Sequence, residues 1–162
     1  MIELHLLRHA HAGDPMTWDG PDERRPLSDK GEKQADRLGR FLAGVGFTTD
    51  AVITSPKLRA AQTAEIVARH LLVPVVVDAR LAGGFDFAMV EAMLHDAGDP
   101  VRPVLVGHDP DFTDLVEILT GSSAVIMKKG AMARIDVDRP LAAGAGNLAW
   151  LVTPDLLKPR AG

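Results

Sequence analysis

The sequence predicts an α/β fold: a three-layer α/β/α sandwich around a mostly parallel central sheet. Two observations carry this. Short apolar runs of strand length alternate with segments whose apolar residues recur at helical spacing. Several of the helical segments also open on Ser or Asp, twice followed by Pro, which is how helices begin. IELHLL, with Glu3 to Leu7 at its centre, reads as the first strand. A polar loop rich in Pro and Gly follows, and Ser28 reads as a helix N-cap. Position 31 is Gly, so the cap lacks the Glu that would complete a capping box. Ala35, Leu38, Phe41, Leu42 and Val45 give that helix its apolar face, and Gly44 and Gly46 end it.

Ala51 to Ile53 reads as the second strand. Ser55-Pro56 reads as a cap and first helical position, and Ala61, Ala64, Val67, Ala68 and Leu71 mark the buried face of the next helix. Pro74 to Val77 is the third strand, and Phe87 to about His95 a helix. Val104 to Val106 is the fourth strand. Asp109-Pro110 repeats the cap-and-proline signal before a helix carrying Phe112, Leu115, Val116 and Leu119. Strands around Ala133 to Val137 and Leu148 to Val152 complete the pattern. The 162 residues suit one domain, 1–162, large enough for a substantial core.

Composition narrows the function. The chain has no cysteine, which removes disulfides, thiolate nucleophiles, iron–sulfur clusters and Cys-type zinc sites. Lys and Arg number 18 against 22 Asp and Glu, a net charge of −4, whereas a nucleic-acid binder is expected to be basic. Aromatics are 4% with no Tyr, so base stacking is not expected either. No apolar run reaches the length of a membrane span. Residues 1–10 carry charge and histidine where an export signal has an unbroken apolar stretch, which points to the cytoplasm. No heptad or apolar stripe indicates an oligomer.

Three of the strands run into chemistry-bearing residues. The first leads into Arg8-His9, the second into Ser55 and then Arg59, the fourth into Gly107-His108. Ligands of open α/β sheets bind outside the carboxyl ends of the strands. Two histidines and two arginines, distant in sequence, therefore share one edge. Helix N-termini and guanidinium forks both suit phosphate oxygens. A neutral imidazole among them can attack phosphorus and carry the phosphoryl group, while the arginines neutralise charge in the transition state.

The segments LLRHA at 6–10, RPLSDKG at 25–31, SPKLRAAQTA at 55–64 and VGHDP at 106–110 resemble the histidine phosphatase, or phosphoglycerate-mutase-like, superfamily, and most nearly its short SixA-type phosphohistidine phosphatase branch. The resemblance covers nearly the whole chain in the right order. It implies that His9 is the phosphorylated nucleophile, that Arg8 and Arg59 hold the phosphoryl group, and that His108 holds it and stabilises the transition state. It gives Arg25 a further phosphate-side role that neighbouring Arg24 could take instead. No metal or other cofactor is implied. The substrate expected is a phosphohistidine-bearing protein or a small phosphorylated compound.

Two departures stand out. Position 10 is Ala where the superfamily has Gly, which SixA-type sequences accept. The stretch Arg80-Leu81-Ala82-Gly83-Gly84 lacks the Glu that ester-cleaving members carry as general acid, with Asp86 and Glu91 only nearby. An alkoxide leaving group, with a conjugate acid near the roughly 15.7 pKa of water, benefits strongly from such an acid. The imidazole of phosphohistidine, with a reference pKa of about 6.5, needs it far less. The missing acid therefore favours a P–N bond. The alternatives are a broader phosphomonoesterase using Asp86 or Glu91, and a phosphoryl-binding module without turnover. A His/Asp metal hydrolase built on His9, His11, His108 and Asp109 is opposed by the arginines at the same edge, and the loop with Asp14, Asp19, Asp22 and Glu23, which could suggest a divalent cation site, reads as a solvated acidic loop. His11, His70, His95, Trp18 and Trp150 are expected to be structural or surface residues, and Lys128-Lys129 a turn.

Overall fold

The computed structural model describes residues 1–160. The strands are β1 (Ile2–Arg8), β2 (Ala51–Thr54), β3 (Val75–Val77), β4 (Pro103–Gly107), β5 (Met132–Val137) and β6 (Asn147–Val152). The helices are α1 (Asp29–Gly44), α2 (Leu58–Leu71), α3 (Phe87–Asp96), α4 (Asp111–Thr120) and α5 (Pro154–Leu157), with 3-10 turns at Asp22–Arg24 and Ala79–Ala82. One sheet takes the order β3-β2-β4-β1-β5-β6. The first four strands in that order run parallel, and β5 and β6 add an antiparallel edge.

The strands' alternation divides the core in two. Leu4, Leu6, Ile53 and Leu105 pack with Val90, Met93, Phe112, Val116 and Leu119 of α3 and α4. Leu7, Val52, Val104 and Val106 face Ala35, Leu38, Leu42, Ala64 and Val67 of α1 and α2. Period-2 side-chain direction thus puts neighbours in β1 and β4 on opposite faces, so both faces of the central strands are covered. Hydrophobic burial on both faces is what makes β1 and β4 near-continuous apolar runs.

Ser28 caps α1 as expected, its Oγ accepting from the Gly31 N–H at 3.1 Å. Gly31 has a steric reason: a Cβ there would collide with the His11 carbonyl oxygen. The apolar face of α1 is narrower than the spacing suggested, because Phe41 and Val45 are exposed. Gly39 leaves room for the His70 ring, whose Nε2 lies 2.8 Å from Asp36, and so lets α1 and α2 approach closely.

Two helix starts are corrected. Ser55 is not the cap of α2, which begins at Leu58 with Lys57 in the cap position and no side-chain cap. Its hydroxyl accepts instead from the Lys57 N–H at 3.2 Å and faces the sheet edge. The fourth helix begins one residue late, at Asp111 with Pro110 in the cap position. Asp109 still does a cap's work from one residue further out, accepting from Thr113 N at 3.0 Å and Thr113 Oγ1 at 2.7 Å. In both cases the strand end holds the side chain where the edge needs it, and the helix starts later.

Candidate active site

The parallel strands β2, β4 and β1 are adjacent, and their carboxyl ends stop level. Arg8 pairs with Gly107, and Thr54 with Val106. The ladder continues past the strands, with His9 N donating to Gly107 O and Ser55 N to Val106 O, both at 2.9 Å. This register brings His9, Ser55 and His108 side by side. The His9 and His108 ring centroids are 5.3 Å apart. Both rings are buried, as are Arg25 and Arg59.

His9 is fixed by its own neighbour. Nδ1 lies 2.7 Å from the Ala10 carbonyl oxygen. A carbonyl can only accept, so Nδ1 carries the proton and the neutral ring presents its lone pair on Nε2. Ala10 N donates to Thr63 Oγ1 at 3.1 Å, and Thr63 donates back to Arg59 O at 2.7 Å, which ties this loop to α2. Ala10 is fully buried among the apolar residues facing α1 and α2, so its methyl is accommodated in the core. Burial, then the charges of Arg59, Arg8 and Lys129, push the His9 pKa down to about 4 against the pull of the Ala10 bond. Burial and the neighbouring His9 lower His108 to about 3. Both imidazoles are neutral near pH 7.

His108 Nε2 is 2.7 Å from Ser55 Oγ. With Ser55 donating, the ring's proton sits on Nδ1. That atom, Arg8 Nε and Arg59 Nε are buried without a protein partner. A buried donor left unpaired costs about 1–3 kcal/mol, and these three belong to residues of the same sheet edge.

The arginines are held in distinct ways. Arg8 Nη1 donates to Met127 O at 2.7 Å and lies 3.4 Å from Asp109 Oδ2. Arg59 donates through Nη1 to Asp22 O at 2.8 Å and through Nη2 to Asp22 Oδ2 at 3.0 Å. Arg25 turns inward, donating from Nε to Asp22 Oδ1 at 3.2 Å and from Nη1 to Ala12 O at 3.0 Å. Arg24 is exposed, whereas Arg25 is buried and shares the Asp22 carboxylate with Arg59. Burial alone would raise the Asp22 carboxyl pKa, but the two guanidiniums hold it below the ordinary carboxylate range.

Asp22 is the residue sequence reasoning misses; Ser55 it places at this edge, as a helix cap and without the contact to His108. Asp22 looked like part of a solvated or cation-binding acidic loop, yet it faces two arginines. Its spacing three before Arg25 was the available signal. Arg59 sits in the first turn of α2, where a cation opposes the helix dipole, and Asp22 is the anion that compensates. Among the described residues no three His, Asp or Glu side chains come together in a group able to hold a metal ion. Of the carboxylates considered as general acids, Asp86 caps α3 by accepting from Met89 N at 2.9 Å. Glu91 is occupied on both oxygens, by Arg139 Nη2 at 2.8 Å and Leu141 N at 2.7 Å. His11 lies 2.6 Å from Ser28 Oγ, and His95 is exposed.

Uncharged, buried imidazoles among buried guanidiniums at the carboxyl ends of a parallel sheet define a phosphoryl-handling enzyme. Comparison with known proteins makes this specific. The chain belongs to the histidine phosphatase superfamily, branch 1, whose family model matches residues 4–96. It is 29% identical to the phosphohistidine phosphatase SixA of Escherichia coli K12 over 97% of each chain. It is 31% identical to an uncharacterised protein of Picosynechococcus, over 98% of this chain and all of that one. The solved structure of the protein histidine phosphatase SixA complexed with tungstate superposes with a TM-score of 0.83 at 26% identity, covering 97% of this chain and all of that one. The protein is a phosphatase of the SixA type. No described helix is long and apolar enough to cross a membrane.

Proposed function

We propose that this phosphatase removes the phosphoryl group from phosphohistidine on a partner protein, without a metal ion, through phosphorylated His9. The hydrogen bond from His9 Nδ1 to the Ala10 carbonyl, 2.7 Å long, carries the proposal, because it leaves Nε2 as the nucleophilic nitrogen of a neutral ring. In the first step the Nε2 lone pair forms a bond to phosphorus as the substrate's P–N bond breaks. The bonding pair leaves with the substrate imidazole, which takes a proton from solvent. In the second step water attacks phospho-His9, phosphate departs, and the lone pair returns to Nε2. Arg8, Arg25 and Arg59 neutralise the equatorial oxygens, and His108 Nδ1 donates to one of them.

A P–N bond as the bond broken is favoured by what surrounds the reaction. The stretch Arg80–Gly84 carries no carboxylate, and Glu91 is already bound to Arg139 and Leu141 N. A leaving group that needs no strong acid suits that arrangement.

The test is to trap the phosphoenzyme. The protein is mixed with a small phosphoramidate, quenched in alkali and mapped by mass spectrometry, with and without a chelator. Phosphate is expected on His9 in both, and His9→Ala should abolish turnover. Hydrolysis that proceeds with His9 unlabelled, or that stops with chelator, overturns the mechanism. Equal kcat/KM for an alkyl phosphate and a phosphohistidine protein overturns the substrate assignment in favour of a small-molecule esterase.

A further inference from the structure

Beside the phosphoryl cluster, and sharing Arg8 with it, is a second cavity of about 370 Å³ lined by Arg8, His11, Lys30, Gln34, Lys128 and Lys129. Its position is built by the backbone. Gly130 N–H donates to both Arg8 O, at 3.1 Å, and His9 O, at 2.9 Å, while Arg8 N donates to Ala131 O at 3.0 Å. Gly130 has φ +81°, the left-handed conformation such a fastening turn requires. The turn carrying Lys128 and Lys129 is thereby pinned to the end of β1. Lys30 reaches the cavity from the first turn of α1, where a cation gains nothing from the helix dipole.

The charges around this cavity do not balance. Among the described residues Asp155 is the one carboxylate lining it, highly exposed and 3.5 Å from Lys128. Asp29 and Glu32 share the first turn of α1 with Lys30 but do not line the cavity. Lys30 and Lys129 have no ion pair among the described residues. Half-buried Lys129 is held below the ordinary lysine range, first by burial and then by the like charges of Arg8, Arg25, Arg59 and Lys30. Cations gathered this way repel one another, and an anion placed among them relieves the repulsion.

We propose that this cavity is a second oxyanion subsite, which takes an anionic group that the substrate carries next to its scissile phosphoryl group. The assignment rests on the neighbouring cluster being a phosphoryl site. It makes the preferred substrate doubly anionic. The second oxyanion is either an acidic side chain beside the phosphohistidine or a second phosphate of a small compound.

Binding is measured first, by calorimetry on the whole protein, so the result does not depend on turnover. Inorganic phosphate and pyrophosphate are compared in wild type, Lys129→Ala, Lys129→Arg and Lys33→Ala, the last an exposed lysine on α1 outside the cavity. The readout is the ratio of the two dissociation constants. Wild type is expected to prefer pyrophosphate, and Lys129→Ala to cut that preference about tenfold, as loss of one charge-assisted contact does. Lys129→Arg should keep most of it, and Lys33→Ala all of it.

The second arm compares kcat/KM for two phosphohistidine peptides, one flanked by Asp and Glu, the other by Ser. An advantage for the acidic peptide that Lys129→Ala removes assigns the subsite to a protein carboxylate. An advantage confined to pyrophosphate assigns it to a second phosphate. If Lys129→Ala changes neither ratio, or Lys33→Ala changes them equally, the subsite does not exist. Failure to trap phospho-His9 with the pyrophosphate ratio intact would overturn the mechanism alone.

Discussion

Replacing His5 with Asn should remove about 3 kcal/mol of the acid lability of this fold. His5 lies in the middle of β1 with no solvent exposure, between Phe47 and Trp150. Its Nδ1 is 3.0 Å from Pro103 O, which can only accept, and Nε2 is buried without a partner. Burial pushes its pKa down from 6.5 to about 4, against the Pro103 bond, which favours the charged form. The folded state therefore holds a neutral ring that the unfolded chain protonates. The stabilising effect is complete above about pH 6.5 and shrinks as pH falls toward about 4, by close to 1.4 kcal/mol per pH unit. Over that window His5 alone accounts for about 3 kcal/mol. Asn keeps a donor for Pro103 O and does not titrate. The assay is urea unfolding at pH 7, 6, 5 and 4.5 on both proteins. His5→Asn lowers stability throughout through the cavity it leaves, so the slope against pH is the readout, not the absolute value. Wild type should lose stability more steeply than the variant by about 1 kcal/mol per pH unit. Equal slopes would refute the claim that His5 is buried neutral.

Other consequences concern the site. Ser55→Ala removes the partner of His108 Nε2 and should lower kcat/KM for a phosphoramidate about tenfold, the worth of one hydrogen bond in a buried network, with secondary structure by circular dichroism unchanged. Unaltered kinetics would mean that Ser55 does not position His108. Because His9 has a pKa of about 4, kcat/KM should hold down to about pH 5 and fall below about pH 4, as Nε2 gains a proton. An acidic limb centred at pH 6 to 7 would show that the nucleophile is an ordinary exposed histidine. Asp22 competes with incoming phosphate for Arg59 and Arg25, so Asp22→Asn should tighten inorganic phosphate binding several-fold by calorimetry. Weaker binding would show instead that Asp22 chiefly holds the arginines in place.

Much of this molecule is legible in one dimension. The alternation of apolar strands with helical spacing determines an α/β sandwich, because each element must bury one stripe or face and the pattern says which. Arg8, His9 and His108 could be placed on one edge because strand ends are local features and the carboxyl-end rule then relates them. Their burial, and hence their neutrality, could not be read that way. Nor could the Ser55–His108 contact, which joins residues 53 apart, the grip of Asp22 on Arg59, 37 apart, or the Arg8–Met127 bond, 119 apart. Lys129 looked like part of a simple turn and is one. Only the pinning of Gly130 to the end of β1 sets it beside Arg8. The sequence by itself thus determined the elements and the residues that gather where the strands end. The tertiary structure decided which nitrogen of His9 is free, which carboxylate the arginines hold, and where the second cluster of positive charge lies. Those depend on distances between side chains far apart in the chain, set by sheet register and burial rather than by any local pattern.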